Sequence, residues 1–203
     1  VNDNGKEICL PMLRQQMEKR ADRANMCLAD FITEEDDWIG GFALTTGHGI
    51  ESHLARFRAE NDDYHDILLK ALADRFAEAL AERLHQYVRT TLWGYAEEEN
   101  CDNLALIQEK YKGIRPAPGY PACPDHSLKT LLFDMLDVTR SINVTLTDSL
   151  AMWPTAAVSG FYFGHPQSSY FGVARIGEDQ LEDYAVRRGV ELDIARRWLT
   201  PNL

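Results

Sequence analysis

Arg115 and Tyr120 sit five residues apart in Ile114-Arg115-Pro116-Ala117-Pro118-Gly119-Tyr120-Pro121-Ala122-Cys123-Pro124, and they are the pair best suited to grip a small polar ligand. The arginine offers a planar five-donor fork that matches a carboxylate or a phosphate. Four prolines and a glycine rule out helix and central strand across this stretch. Each proline fixes its own φ and pushes the preceding residue out of the helical region, so the loop has few conformations. Two readings fit such a segment: a binding loop, or a stiff connector in which Arg115 and Tyr120 merely pack.

Three carboxylates are candidates to work with Arg115. Glu109 lies six residues upstream, in the helix that leads into the loop. Glu78 falls about 160° around a long helix from Phe76 and Leu80, at ~100° per residue, which assigns it to solvent. Asp30, in Cys27-Leu28-Ala29-Asp30-Phe31, follows an apolar pair and is placed to cap a turn or to bind. The pair Tyr170-Phe171 sends one ring to each side of a strand, for stacking on a planar ligand or for core packing.

No catalytic residue is assigned. Ser159, Ser168 and Ser169 lack a nucleophile-elbow context, and no Cys–His pair is visible. No Gly-x-Gly-x-x-Gly follows a strand, which argues against a dinucleotide site. The six histidines contain no His-Glu-x-x-His, and His48 and His53 are badly spaced to share a helical face. The four cysteines contain no Cys-x-x-Cys, so no metal site is assigned and reduced thiols of a cytoplasmic protein are expected. The residues describe a pocket for a small zwitterionic or anionic ligand, without a catalytic machine.

The elements that must position these groups follow from periodicity and punctuation. Pro11 to Arg23 is helix-compatible, Phe31 to Asp37 an acidic loop, and Trp38 to Thr46 a strand closed by Gly47-His48-Gly49. Leu68, Leu72, Phe76, Leu80, Leu84 and Val88 recur every four residues, with Leu69, Ala73 and Ala77 widening the stripe. They predict a long helix from about Asp62 to Leu92, buried on that stripe and capped by Asn61 or Asp62. A second helix spans about Leu104 to Tyr111 and stops at Gly113. Leu128, Leu131, Leu132, Met135 and Leu136 form a third helical stripe. Ile142 to Thr147, Ala157 to Phe163 and Tyr170 to Ile176 read as strands, and helices close the chain over about 178–188 and 192–199, parted at Gly189. Strands and helices do not alternate strictly, so the fold expected is α+β with a largely antiparallel sheet, in a single domain.

The chain of 203 residues carries a net charge of -11, which disfavours sequence-independent binding to nucleic acid or to an anionic membrane. Its 45% hydrophobic and 26% charged residues are those of an ordinary globular protein, and no apolar run nears the roughly 18 residues of a membrane span. Arg187-Arg188 and Arg196-Arg197 read as solvated faces, with a docking patch for an acidic protein as the second reading. Val1 in place of methionine points to a piece of a longer polypeptide or to a processed chain, the former being favoured.

Arg115-Pro-Ala-Pro-Gly-Tyr120 fits the Arg-x-x-x-Gly-Tyr signature of the C-terminal activation domain of cobalamin-dependent methionine synthases. Leu10 to Gln16, Asp62 to Tyr64, Lys70 to Arg75, Trp93 to Tyr95, Ala151 to Pro154, Val158 to Gly160 and Trp198 to Asn202 resemble the same family in order. The resemblance covers essentially the whole chain. It implies a C-shaped α+β domain with a twisted, largely antiparallel sheet and flanking helices, which binds S-adenosylmethionine. In that family the methyl group rebuilds methylcobalamin after the cofactor has oxidised to cob(II)alamin, with an electron from a flavodoxin-type or flavoprotein reductase. It also implies a cobalamin-binding domain in the same polypeptide, with cobalamin and zinc held in domains outside this chain. Ligand contacts carried over from the family fall on Asp30, Glu78, Glu109, Arg115, Ala117, Tyr120 and Tyr170. Phe171 stands where a second tyrosine is commoner, so a phenol hydrogen bond is absent there. Arg115 is expected to pair with the ligand carboxylate, an acidic residue to face its ammonium, ribose or sulfonium, and Ala117 to offer backbone groups.

This chain contains no Asp-x-His-x-x-Gly cobalamin loop, so on its own it is expected to bind the ligand and not to turn over. The competing readings are a docking module for the reductase without a ligand site, and a free-standing methyltransferase, for which no acceptor site is found.

Overall fold

The computed structural model describes residues 1–3, 5–33 and 36–203. Two compact units divide the chain. The first comprises Val1–Gly41, Lys112–Met135 and Gly160–Leu203, and the second Phe42–Tyr111 and Leu136–Ser159. Short strands and helices are interspersed, in the α+β class that the sequence predicts. Among the described residues the strands form three two-stranded ladders instead of one continuous sheet. β1 (Asn2–Asp3) pairs antiparallel with β2 (Lys6–Glu7). β3 (Gly40–Thr45) pairs with β6 (Ala157–Tyr162), and β4 (Thr145–Leu146) pairs antiparallel with β5 (Met152–Trp153).

In the second unit α1 (Glu51–Ala59) leads into α2 (Asp63–Tyr87). Asp62 caps α2, its carboxylate accepting from the His65 backbone N–H at 3.1 Å, so one of the four orphan donors of the helix start is satisfied. The buried side of α2 is turned away from the leucine line toward the alanines that widen the predicted stripe. Ala73, Ala77, Ala81 and His85 are buried, while Leu68, Leu72, Phe76 and Leu80 are exposed. Alanine lets the helix axis come close, and the Thr46 hydroxyl donates to the Ala73 carbonyl at 2.7 Å on that side. A π-helical turn, Val88–Leu92, ends the helix and carries Arg89 fully buried. Its guanidinium donates twice to Glu99 at 2.7 Å and stacks 3.8 Å over the Tyr111 ring. Removing one member of such a pair would leave an uncompensated buried charge, at a cost of about 3–5 kcal/mol.

α3 (Asn103–Ile107) is capped by Asp102, α4 spans Leu128–Leu136, and α5 (Val138–Ile142) is flanked by Asp137 and Asn143 in left-handed conformations. α5 takes the start of the strand predicted from Ile142, leaving only β4 extended. α6 (Glu178–Arg188) and α7 (Leu192–Trp198) meet at Gly189, as its punctuation predicts. α1 went unforeseen because its apolar positions are too sparse to show a period.

Two other expectations are corrected. Pro11 to Arg23 is not a helix, because its groups are committed to distant segments. Gln15 N–H donates to the Met26 carbonyl, Arg14 N–H to Gln180, and the Gln15 amide to Gly172. Tyr170 to Ile176 is not a ladder strand either: Val173 N–H donates to Pro121, and Ile176 N–H to Asn202. Of the predicted acidic loop, Glu34 and Glu35 lie outside the described residues; Asp37 accepts from the Thr33 and Trp38 backbones, both at 2.8 Å.

The first unit packs around two apolar clusters, one built on Leu28, Phe31, Ile114, Leu128, Leu132, Phe161 and Phe163, the other on Leu13, Val173, Leu181, Tyr184, Ala195 and Leu199. Asp125 is buried beside them and accepts from Ser127 N–H at 2.7 Å, Ser127 O–H at 2.6 Å and Tyr184 O–H at 2.5 Å. Burial and the adjacent carboxylate push the Tyr184 phenol well above its ordinary range, so it stays a donor. Tyr184→Phe is expected to destabilise the fold by about 1.5–3 kcal/mol, the range for a hydrogen bond to a charged group. Urea denaturation at neutral pH, with an unchanged slope, is the check.

Candidate functional site

The proline-rich loop has a two-residue rhythm. Ile114, Pro116 and Pro118 are buried; Arg115 and Ala117 between them are half-exposed. Alternation of this kind puts successive side chains on opposite faces, so the anchors and the candidate ligand contacts are separated by backbone geometry alone. Ile114 and Phe163 exchange two backbone hydrogen bonds at 3.0 Å, and Phe161 N–H donates to Pro116 at 2.9 Å. Pro116 and Pro118 have no backbone donor, so the first half of the loop takes its partners from the end of β6.

Beyond Ala117 the chain turns. Tyr120 N–H donates to Ala117 at 3.2 Å, Cys123 N–H to Tyr120 at 2.8 Å, and Gly119 N–H to Cys123 at 2.7 Å. Gly119 has φ of +95°, and a Cβ placed there would lie 2.0 Å from the His126 ring. The residue before Tyr120 therefore has to be glycine, and Tyr120 projects from the turn with 62% of its surface exposed. His126 in turn accepts from Lys129 at 3.0 Å. Burial and the nearby ammonium lower the His126 pKa, with Asp125 opposing them.

Tyr170 closes the other side of the loop, its hydroxyl accepting from the Arg115 backbone N–H at 3.0 Å. Phe171, the next residue, turns inward. Its ring meets Phe31 edge-on at 6.4 Å and packs against both apolar clusters. The two rings thus divide as an alternating pair should, even though no ladder holds them.

Asp30 belongs to the same unit, but its carboxylate is already engaged. It receives a two-pronged contact from Arg14 at 2.5 and 2.7 Å and accepts from Cys27 N–H at 2.9 Å. The Arg14 fork, chiefly, holds its pKa below the usual carboxylate range. Glu78 and Glu109 lie in the second unit, both exposed. Glu78 is on α2; the apolar stripe used to place it in solvent is itself exposed, so that argument loses its premise. Glu109 is beyond the end of α3, not inside a helix, with φ of +52°. Its N–H donates to Leu106 at 3.0 Å and Lys110 N–H to Ala105 at 2.9 Å, a helix-terminating pair of bonds that ordinarily selects glycine. A glutamate there carries about 1–2 kcal/mol of backbone strain.

So Arg115, Ala117, Tyr120, Tyr170, Phe171 and Asp30 share the first unit, and the two glutamates the second. Sequence reasoning missed His126 and Gly119 as partners, and the Asp125–Tyr184 contact. The side-chain chemistry that this arrangement offers is recognition: a guanidinium, a phenol, an aromatic face and backbone groups on a fixed loop. Among the described residues no group of three or more His, Cys, Asp or Glu is placed to hold a metal ion. No described helix is long and apolar enough to cross a membrane.

An α+β domain with a proline-stiffened recognition loop is the class these observations define. Residues 2–189 match the family described as "Vitamin B12 dependent methionine synthase, activation domain". A solved structure described as "Crystal Structure of the MetH Reactivation Domain bound to AdoHcy" is similar at 52% sequence identity and a TM-score of 0.92, over 95% of this chain and 60% of that one. The chain belongs to the activation-domain family of vitamin B12-dependent methionine synthases, and spans 60% of the solved relative's length.

Gly119→Ala is expected to cost about 1–3 kcal/mol from backbone strain, with a further part from the His126 ring. Adding His126→Ala should recover only the ring's part, seen as a favourable coupling of about 0.5 kcal/mol or more in a denaturation double-mutant cycle. A second expectation concerns pH. The folded chain binds a proton at His126 more weakly than the unfolded chain does. Stability should therefore fall as pH drops below about 6.5, and His126→Gln should flatten that slope in pH-dependent melts.

Proposed function

We propose that this chain is the part of a methionine synthase reactivation domain that holds S-adenosylmethionine and presents its methyl group to cobalamin. The observation that carries the reading is the Arg115–Tyr120 loop. It has a guanidinium and a small residue on one accessible face, an aromatic ring beyond Gly119, and Tyr170 fastened to its backbone. This loop lies in a chain 52% identical to a domain solved with AdoHcy bound. The donor set fits a ligand that combines an α-carboxylate, an ammonium, ribose hydroxyls and a planar base.

Arg115 would clamp the ligand carboxylate as a two-pronged pair, the geometry that guanidinium favours. Ala117 would leave room for the ligand to reach the loop's backbone groups, while Tyr120 and Tyr170 present aromatic faces. Glu78 and Glu109 are kept as ligand residues on the family resemblance; a strained backbone at Glu109 is the kind of feature that clusters at ligand sites. Asp30 would act by bracing Arg14 and the Leu28–Phe31 turn, and Phe171 by fixing the direction of Tyr170. The bound sulfonium supplies an electrophilic methyl group, so the protein's contribution is orientation and no side-chain nucleophile is required.

In this reading the cobalamin domain lies in the same polypeptide, a flavodoxin-type or flavoprotein reductase supplies the electron, and the full enzyme methylates homocysteine. The reading places the protein in the cytoplasm, where its four cysteines would stay reduced.

Calorimetric titration with S-adenosylmethionine and S-adenosylhomocysteine tests the reading. Arg115→Ala should weaken both ligands about 30-fold or more, corresponding to about 2 kcal/mol, while the chain still folds. Glu109→Gly should melt no lower than the parent, because it removes the strain, yet bind more weakly. No binding by the folded parent chain, or Arg115→Ala affinity within about threefold of it (roughly 0.65 kcal/mol), would overturn the proposal.

A further inference from the structure

The least satisfied surface in the molecule is one side of α2. Leu68, Leu72, Phe76 and Leu80 follow one another at four-residue intervals and are 38%, 46%, 65% and 42% exposed. Tyr64 and Tyr87 extend the line at its two ends, at 70% and 43%. Side chains four apart stack along one helix face, so these six form one apolar ridge and not scattered residues. A ridge of this length is rare on a surface that faces only water. The flank of α2 that adjoins this ridge is already sealed by Ala73, Ala77 and Ala81. Helices that bury apolar residues all round lie inside a packed layer.

We propose that this ridge is the seat of an amphipathic helix supplied by the portion of the reactivation domain that this chain lacks. Two observations select that occupant. The solved relative covers nearly all of this chain and still has two-fifths of its own length outside the match, enough to provide a covering layer. A second copy of this chain is a poor alternative, since each copy carries a net charge of -11 and pairing would set like against like. The ridge also prescribes the helix that fits it. At ~100° per residue Arg75 and Arg83 fall on or beside the ridge, whereas Asp74, Glu78 and Glu82 fall on the far border. The seated helix should therefore carry leucine-like residues at i, i+4 spacing, with an acidic residue facing Arg75 or Arg83. Rows of residues four apart on both helices interdigitate in the commonest mode of helix packing.

This inference does not depend on the ligand. It would stand if the chain bound no S-adenosylmethionine, and the binding proposal would stand if the ridge proved to be solvated. The test uses two polypeptides, the 203-residue chain and the same chain extended to the full length of the reactivation domain. Both carry Cys9→Ser, Cys101→Ser and Phe76→Cys. Modification by a bulky maleimide should be rapid in the shorter polypeptide and about tenfold slower or more in the longer one, because the site must open before it reacts. Phe76→Asp gives an independent readout: the shorter chain should melt as the parent does, and the longer chain should melt several degrees lower.

Equal labelling rates in the two polypeptides would overturn the proposal. So would protection in the shorter chain that grows with its concentration, because the occupant would then be a second copy. Protection that appears in the longer chain only after addition of the cobalamin domain or the reductase would also overturn it, since the ridge would then be an intermolecular docking face.

Discussion

The buried carboxylate of Asp125 is the contact on which the first unit depends. A carboxylate away from water is tolerated only when hydrogen bonds replace its hydration, and here three donors do so from two parts of the chain. Ser127 fixes the entry to α4. Tyr184 ties that entry to α6, so two helices and the end of the proline-rich loop share one anchor. The loop is therefore held at both ends, by Asp125 after Pro124 and by the Ile114–Phe163 pair before Arg115. Between the anchors the prolines remove most of the freedom that remains.

This arrangement explains how a loop can serve as a rigid recognition surface. Its entropy is lost on folding instead of on ligand binding, which is the physical meaning of a preorganised site. The loop offers such a surface with few titrating groups. Charged residues elsewhere are largely spent on holding segments together. Arg14 is paired with Asp30 and Arg196 with Glu178, and Arg187 donates to the Met12 carbonyl. The basic clusters near the C-terminus are thus braces first, whatever else they face.

Much of this was legible in the residues. The proline spacing, the Asp62 cap and the Gly189 break are local rules, and local rules act through neighbours in the sequence. The side chosen by α2 was not legible, because periodicity weighs hydrophobicity, and the large leucines outvoted the small alanines. Burial there was decided by how close a helix can approach, and alanine permits the closest packing. The Asp125–Tyr184 bond joins residues 59 apart, and no pattern in a single sequence announces it. Glu109 was misplaced for a related reason: without glycine at that position, nothing marks the end of α3 until Gly113. Family resemblance supplied expectations at site positions where periodicity pointed elsewhere, Glu78 above all.

Arg89, Glu99 and Tyr111 carry a consequence of a different kind. Their ion pair is buried under a stacked ring, and loss of either Arg89 or Glu99 strands the other away from water. Neutral drift cannot pass through such a position one step at a time. A lineage that trades this group for an apolar one must change at least two codons almost together, or survive an interval with a damaged fold. Among descendants of this chain Arg89 and Glu99 should therefore be inherited together, and disappear together.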